Sequence, residues 1–172
     1  EFLMKDAYSF DLNDDEAKIS YNKMFFAYLN TFKRLGLTAI PMAADTGPIG
    51  GDLSHEFVIL AEAGESKIYS DKRIFDLDIG KYNNKDASIK ELREKFDEFY
   101  AVTDNKFKKE DFEKKVKKEN QLVARGIEVG HIFYFGDKYS TPLKCSVDLQ
   151  NGKKTDVKMG SYGIGISRLV GA

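Results

Sequence analysis

Tyr21, Phe25, Tyr28, Phe32 and Leu35 recur at i, i+4, i+7, i+11 and i+14. On a helix of 3.6 residues per turn these positions form a single stripe of large apolar side chains. Such a stripe needs a broad apolar partner, so the segment must lie on a core. Asn13 or Asp14 can cap its start by accepting an orphan backbone N–H, and Gly36 can end it in a left-handed turn. Around this helix the sequence reads as strands at 2–10, 38–43, 55–62, 128–135, 145–150 and 154–159. The last two flank Gln150-Asn151-Gly152-Lys153, where Asn-Gly predicts a two-residue hairpin turn and hence an antiparallel pair. No strand-helix alternation follows the long helix. The expected class is therefore α+β, a mostly antiparallel sheet flanked by helices, with a small helical insertion.

Composition divides the chain in three. Residues 1–63 are apolar, 64–124 are lysine-rich and hydrophilic, and 125–172 are punctuated by glycine. The middle stretch reads as a helical insertion into a domain made of the outer two, with Ile89, Leu92, Phe96 and Phe99 at helical spacing after a possible cap at Ser88. Its charges read first as a solvated helix face, with a nucleic-acid-contacting patch as the alternative. Lys and Arg number 27 against 28 Asp and Glu, a balance that does not advertise a nucleic-acid binder. Cys145 is the single cysteine, which excludes an internal disulfide and a Cys-rich zinc site and points to a reducing cytoplasm. No apolar run approaches the roughly 20 residues of a membrane span. The chain opens on Glu1 in a strand-like pattern and stops inside a helix-like one, so it is expected to be a piece of a longer domain.

Three stretches carry chemistry. In the opening strand, alternation puts Phe2, Met4, Asp6, Tyr8 and Phe10 on one face and Lys5 on the other. A carboxylate among bulky neighbours is costly without a partner, so Asp6 is either paired inside the protein or kept for a ligand's ammonium group. The second stretch, Asp45-Thr46-Gly47-Pro48-Ile49-Gly50-Gly51-Asp52, is a glycine-rich loop feeding a strand with His55 and Glu56. It has no P-loop ending and no dinucleotide spacing. From the residues alone, His55 reads as a hydrogen-bonded structural histidine. The third, Met159-Gly160-Ser161-Tyr162-Gly163-Ile164-Gly165-Ile166-Ser167-Arg168, lets backbone approach a nucleotide and places an arginine where its fork can reach phosphate. A glycine hinge with a surface arginine is the bland alternative.

Together EFLMKDAYSF, GPIGGDLSHEF, ARGIEVGHIFYFGDKYS and MGSYGIGISRLVGA resemble the bacterial prolyl-tRNA synthetase family of class II aminoacyl-tRNA synthetases. The likeness covers the outer two stretches. It implies an ATP-dependent ligase that forms prolyl-adenylate from L-proline and transfers proline to tRNA(Pro), working in the cytoplasm as a homodimer when full-length, with no membrane. Position by position, it implies that Phe2 stacks on adenine with Glu1 at the edge of the site. Met4, Asp6 and Tyr8 would line the proline pocket, with Asp6 on the secondary ammonium. Arg168 would bind the ATP phosphates and be the catalytic residue, and Gly163 and Gly165 would let the chain pass the ribose and adenine. His55 and Tyr139 are expected on the proline side, Tyr134 and Asp137 on the ATP side, and Glu56 as a ligand of Mg2+.

The same comparison sets expectations about missing parts. The class's first motif, the phosphate-binding arginine of the second and an anticodon-binding domain do not occur here, and the insert is much shorter than a full editing domain. The isolated piece is therefore expected to be inactive, and hydrolysis of mischarged Ala-tRNA is not expected of it. The alternative is a non-catalytic or paralogous amino-acid- or adenylate-binding module derived from a synthetase.

Overall fold

The computed structural model describes residues 3–45 and 53–172. Strand β1 (Met4–Asp11) leads into helix α1 (Asp14–Arg34), followed by β2 (Ala39–Ala43), β3 (Leu53–Leu60) and β4 (Ser66–Asp71). Helix α2 (Asp86–Asp97), strand β5 (Ala101–Thr103) and helix α3 (Lys109–Lys115) come next, then the 16-residue β6 (Gln121–Gly136). A hairpin of β7 (Ser146–Asp148) and β8 (Lys154–Asp156) precedes β9 (Lys158–Gly165) and α4 (Ile166–Gly171).

Seven strands form one sheet in the order β1-β9-β6-β3-β2-β5-β4. All its pairings are antiparallel except that of β2 with β5. The first part of β6 also pairs with β4, so β6, β3, β2, β5 and β4 close into a ring. The expected class of fold is what forms.

Helix α1 lies on one face of the sheet, and its composition explains why. Asn13 caps it, its side chain accepting from the Glu16 amide at 2.9 Å. Three acids in the first turn and two cations in the last suit the helix dipole. Tyr21, Phe25, Tyr28 and Phe32 are buried to 2% exposure or less and meet Phe57 of β3, whose ring centroid is 5.3–5.7 Å from those of Phe25, Tyr28 and Phe32. Leu35, expected in the stripe, is 55% exposed. The helix ends at Arg34 and Leu35 is its cap residue, so it no longer follows the helical rotation.

The lysine-rich stretch is not a purely helical appendage. It contributes β4 and β5 to the main sheet, and Ile68, Ile74, Leu92, Phe96 and Ala101 belong to the main core. A satellite core forms where Tyr69, Phe112 and Val116 pack together. Ser88 does not cap α2. It sits inside the first turn and its hydroxyl accepts from the Asn83 amide instead, while Lys85 takes the cap position.

The Asn-Gly signal does mark a hairpin, but the loop has three residues, Gln150 to Gly152, between Leu149 and Lys153, whose backbones are bonded at 2.8 Å. Gly152 has φ 77°, the left-handed position that a three-residue loop with a closing bulge requires.

Candidate functional site

Along β1 burial alternates strictly, Met4, Asp6, Tyr8 and Phe10 being exposed. The intervening residues face α1. Lys5 Nζ donates to Tyr28 Oη at 2.7 Å and to the Tyr162 carbonyl at 3.0 Å, and Ser20 Oγ donates to Asp11 at 2.8 Å. Burial lowers the Lys5 pKa against the opposing effect of Asp6. The sheet therefore has a helix-covered side and an open side, and the chemistry of β1 lies on the open one.

Strand register extends that side across four strands. Asp6 is opposite Gly163, Gly163 opposite His131, and His131 opposite Glu56. Gly163 is the gap in this row. A Cβ there would come within 2.9 Å of Met4 Cε and 3.5 Å of Asp6 Oδ1, so glycine keeps the floor open between the aspartate and the histidine. Asp6 makes no hydrogen bond or ion pair among the described residues. The internal partner of the first reading is thus not found among the described residues, and the carboxylate stands exposed on the open side.

At the other end of the row Glu56, Glu128 and His131 bring a ligand atom each to within 4.8 Å of one another. Glu128 and His131 are three apart on β6 and would face opposite ways in a regular strand. A bulge lets them share a side: Phe57 pairs with Gly130 and Val58 with Glu128, leaving Val129 unpaired. His131 Nδ1 donates to Glu128 Oε1 at 3.1 Å, since a carboxylate only accepts, and Nε2 shares a hydrogen bond with Ser54 Oγ at 2.6 Å. Its ring stacks on Phe133 at 3.8 Å, and Phe133 stacks on Phe135 at 5.5 Å. Burial and then the Glu128 charge raise the Glu56 pKa, against a lowering by His131. Two crowded carboxylates with both histidine nitrogens already engaged fit a hard divalent cation bound through oxygen, such as Mg2+.

Arg168 donates from NH1 to the Glu128 carbonyl at 2.8 Å, 3.9 Å from that residue's carboxylate. The guanidinium thus stands beside the acidic cluster. Gly165, opposite Met4, ends the strand that leads to it. Beyond the ring ladder, Tyr139 meets Phe135 edge-on at 4.9 Å. Asp137 is held by Lys158 at 2.8 Å, which lowers its pKa, and lies at the rim.

Two expected site residues are on the covered side instead. His55 is 6% exposed, with Nδ1 2.6 Å from Tyr21 Oη and Nε2 3.3 Å from an Arg93 nitrogen. Arginine can only donate, so Nε2 accepts and Nδ1 carries the proton. Burial and then the Arg93 charge push this imidazole well below its ordinary pKa. It is the structural histidine of the residue-level reading and does not meet Asp6. Tyr134 is likewise buried, donating from its hydroxyl to Asp14 at the start of α1, so it does not open onto the face expected to take ATP. Glu1 and Phe2, expected at the adenine, lie outside the described residues, as does most of the glycine-rich loop.

The grouping of Glu128 with His131 was missed because the bulge is invisible to strict alternation, and Ser54, on the same side of β3 as Glu56, was passed over. His55 was misplaced although the same alternation, applied to β3, puts it opposite in facing to Glu56.

The family profile described as tRNA synthetase class II core domain (G, H, P, S and T) matches residues 1–172. The chain belongs to this family. Among similar curated proteins, a proline–tRNA ligase of Pelagibacter ubique is 66% identical over 172 residues, covering all of this chain and 39% of the relative. Proline–tRNA ligases of Bartonella tribocorum and Beijerinckia indica are 56% and 50% identical, again over the whole chain and 40% and 39% of the relatives. This class II core thus spans about two-fifths of the length of the relatives it matches. No helix among its described residues is long and apolar enough to cross a membrane.

Proposed function

We propose that this core belongs to a proline–tRNA ligase that activates L-proline with ATP and transfers it to tRNA(Pro). The observation that carries the reading is the unpaired Asp6 carboxylate on the open side, separated by Gly163 from a cluster suited to cation and phosphate. The relatives' shared name supports the choice of amino acid.

In this reading Asp6 and Tyr8 hold the secondary ammonium of proline and Met4 closes the pocket beside them. The proline carboxylate then attacks the α-phosphorus and pyrophosphate leaves. No side-chain base is needed, because the nucleophile is already ionised at neutral pH. The protein contributes positioning and charge neutralisation, which supply most of the rate gain in such a displacement. Arg168 serves as the catalytic cation on the phosphates, while Gly165 borders the nucleotide, Tyr139 lines the proline side and Asp137 orders the rim through Lys158. Glu56 and Glu128 would hold Mg2+, which when bound neutralises phosphate charge. His131, fixed between Glu128 and Ser54, keeps Glu128 oriented. A homodimer and a cytoplasmic location belong to the same reading and rest on the family.

The test is proline-dependent ATP–pyrophosphate exchange by the full-length protein. Asp6→Asn is expected to raise the KM for proline, and Arg168→Ala to lower kcat, each by about 100-fold or more at unchanged melting temperature. Wild-type exchange with alanine but not proline would point to a paralogous enzyme. No exchange with any amino acid would leave a non-catalytic module.

A further inference from the structure

Ser54 of β3 is 2% exposed, although it faces the side of the sheet that is otherwise open. It stands two residues before Glu56, so the two side chains leave the strand in the same direction. Its register partner is Phe133, yet its hydroxyl reaches past that ring to His131 Nε2 at 2.6 Å. The hydroxyl is closed to water, and the imidazole is what satisfies it.

What this bond decides is the way the imidazole faces. His131 lies on Phe133 with centroids 3.8 Å and planes 23° apart. Stacking fixes the plane of the ring but not its sense, because a half-turn about the Cβ–Cγ bond returns the ring to the same plane. That half-turn would put a carbon in place of Nδ1 before Glu128 and a carbon in place of Nε2 before Ser54. The observed sense is held at two points, Nδ1 on Glu128 Oε1 and Nε2 on Ser54 Oγ. Of these anchors the glutamate is long, rich in rotamers and 32% exposed at its side chain, whereas the serine is short and enclosed. Ser54 therefore orients His131, and His131 orients Glu128.

The orientation ends at the arginine. With Oε1 taken by His131, the carboxylate of Glu128 presents Oε2 to Arg168 NH1 at 3.9 Å, and the same NH1 donates to the Glu128 carbonyl at 2.8 Å. Asp6 is two strands from His131, across Gly163, or about 10 Å by strand spacing.

We propose that Ser54 is a positioning residue for the cation and phosphate half of the site. Through His131 it sets the direction of the Glu128 carboxylate, and it leaves the proline half alone. What each half binds is taken from the ligase reading, on which the proposal rests.

Two measurements on the full-length protein test it, one of them without turnover. Mn2+, used in place of Mg2+ and followed by electron paramagnetic resonance, is expected to find a site that Glu128→Gln removes. Ser54→Ala should weaken that site about tenfold, the usual effect of one buried hydrogen bond. In ATP–pyrophosphate exchange Ser54→Ala should lower kcat about tenfold and leave the KM for proline within about twofold. Ser54→Thr keeps the hydroxyl and should restore both. In a His131→Phe background, which keeps the stacked ring without its nitrogens, Ser54→Ala should have no further effect, because its influence passes through that ring. Unchanged Mn2+ affinity in Ser54→Ala, no Mn2+ site dependent on Glu128, or an undiminished effect beside His131→Phe would each overturn the proposal. A rise in the proline KM as large as the fall in kcat would also overturn it, since a general packing defect does not spare one half. A parent protein with no exchange but with the Mn2+ pattern intact would sink the ligase reading and leave the positioning standing.

Discussion

His55 and Glu56 are sequence neighbours with opposite fates, and the difference is one step of a pleat. Glu56 looks onto the open face and His55 into the aromatic packing of Tyr21 and Phe25. Because the folded state holds His55 neutral, the unfolded chain binds one more proton than the native chain between its ordinary pKa near 6.5 and the lowered native value. The stability it supports is complete above about pH 6.5 and is lost as pH falls toward the native value. Urea titrations should therefore show little change near pH 7 and a loss that steepens toward about 1.4 kcal/mol per pH unit below about pH 6. His55→Gln should flatten that slope whatever its effect at pH 7. An unchanged slope would mean that another group controls it.

At the scale of elements, the contact between α1 and β3 holds the helix to the sheet. Phe57 is fully buried and touches three rings of α1, so Phe57→Ala should cost about 3–5 kcal/mol in denaturant unfolding. Leu35→Ala, beyond the last helical turn and half exposed, should stay within about 0.5 kcal/mol. The helix was legible in the sequence because one periodic stripe, one cap and one stop agreed, and β1 because its alternation was unbroken. Strands β4 and β5 were not legible. Ser66-Lys67-Ile68-Tyr69-Ser70-Asp71 shows no alternation, since its last four residues are all buried, and Asp71 is tolerated there only through its hydrogen bonds to Arg73. In the candidate site, residue chemistry raised Asp6 as a choice between an internal partner and a ligand, while the roles expected of Glu56 and Arg168 came from the family resemblance. Glu128 and His131 needed the bulge at Val129, a pairing defect decided by tertiary structure rather than by local preference.

For the molecule as a whole, the ring of β6, β3, β2, β5 and β4 ties the lysine-rich stretch to the core. Replacing 64–124 by a short glycine-serine linker would remove β4, β5 and α2, taking Ile68, Leu92, Phe96 and Ala101 from the main core and stripping Phe25 of its contact with Phe96. That deletion is expected to abolish cooperative melting by circular dichroism; a deletion variant that melts cooperatively near the parent's temperature would show the stretch to be dispensable. Core packing and the proposed site otherwise lie on the two sides of one sheet, helix on one and open floor on the other. A saturation library of this chain, sorted once for cellular abundance and once for turnover, should show the consequence. Along β1 and β6 the two kinds of damage would fall on alternate codons in antiphase, with slips of phase in β6 at Val129 and Phe135.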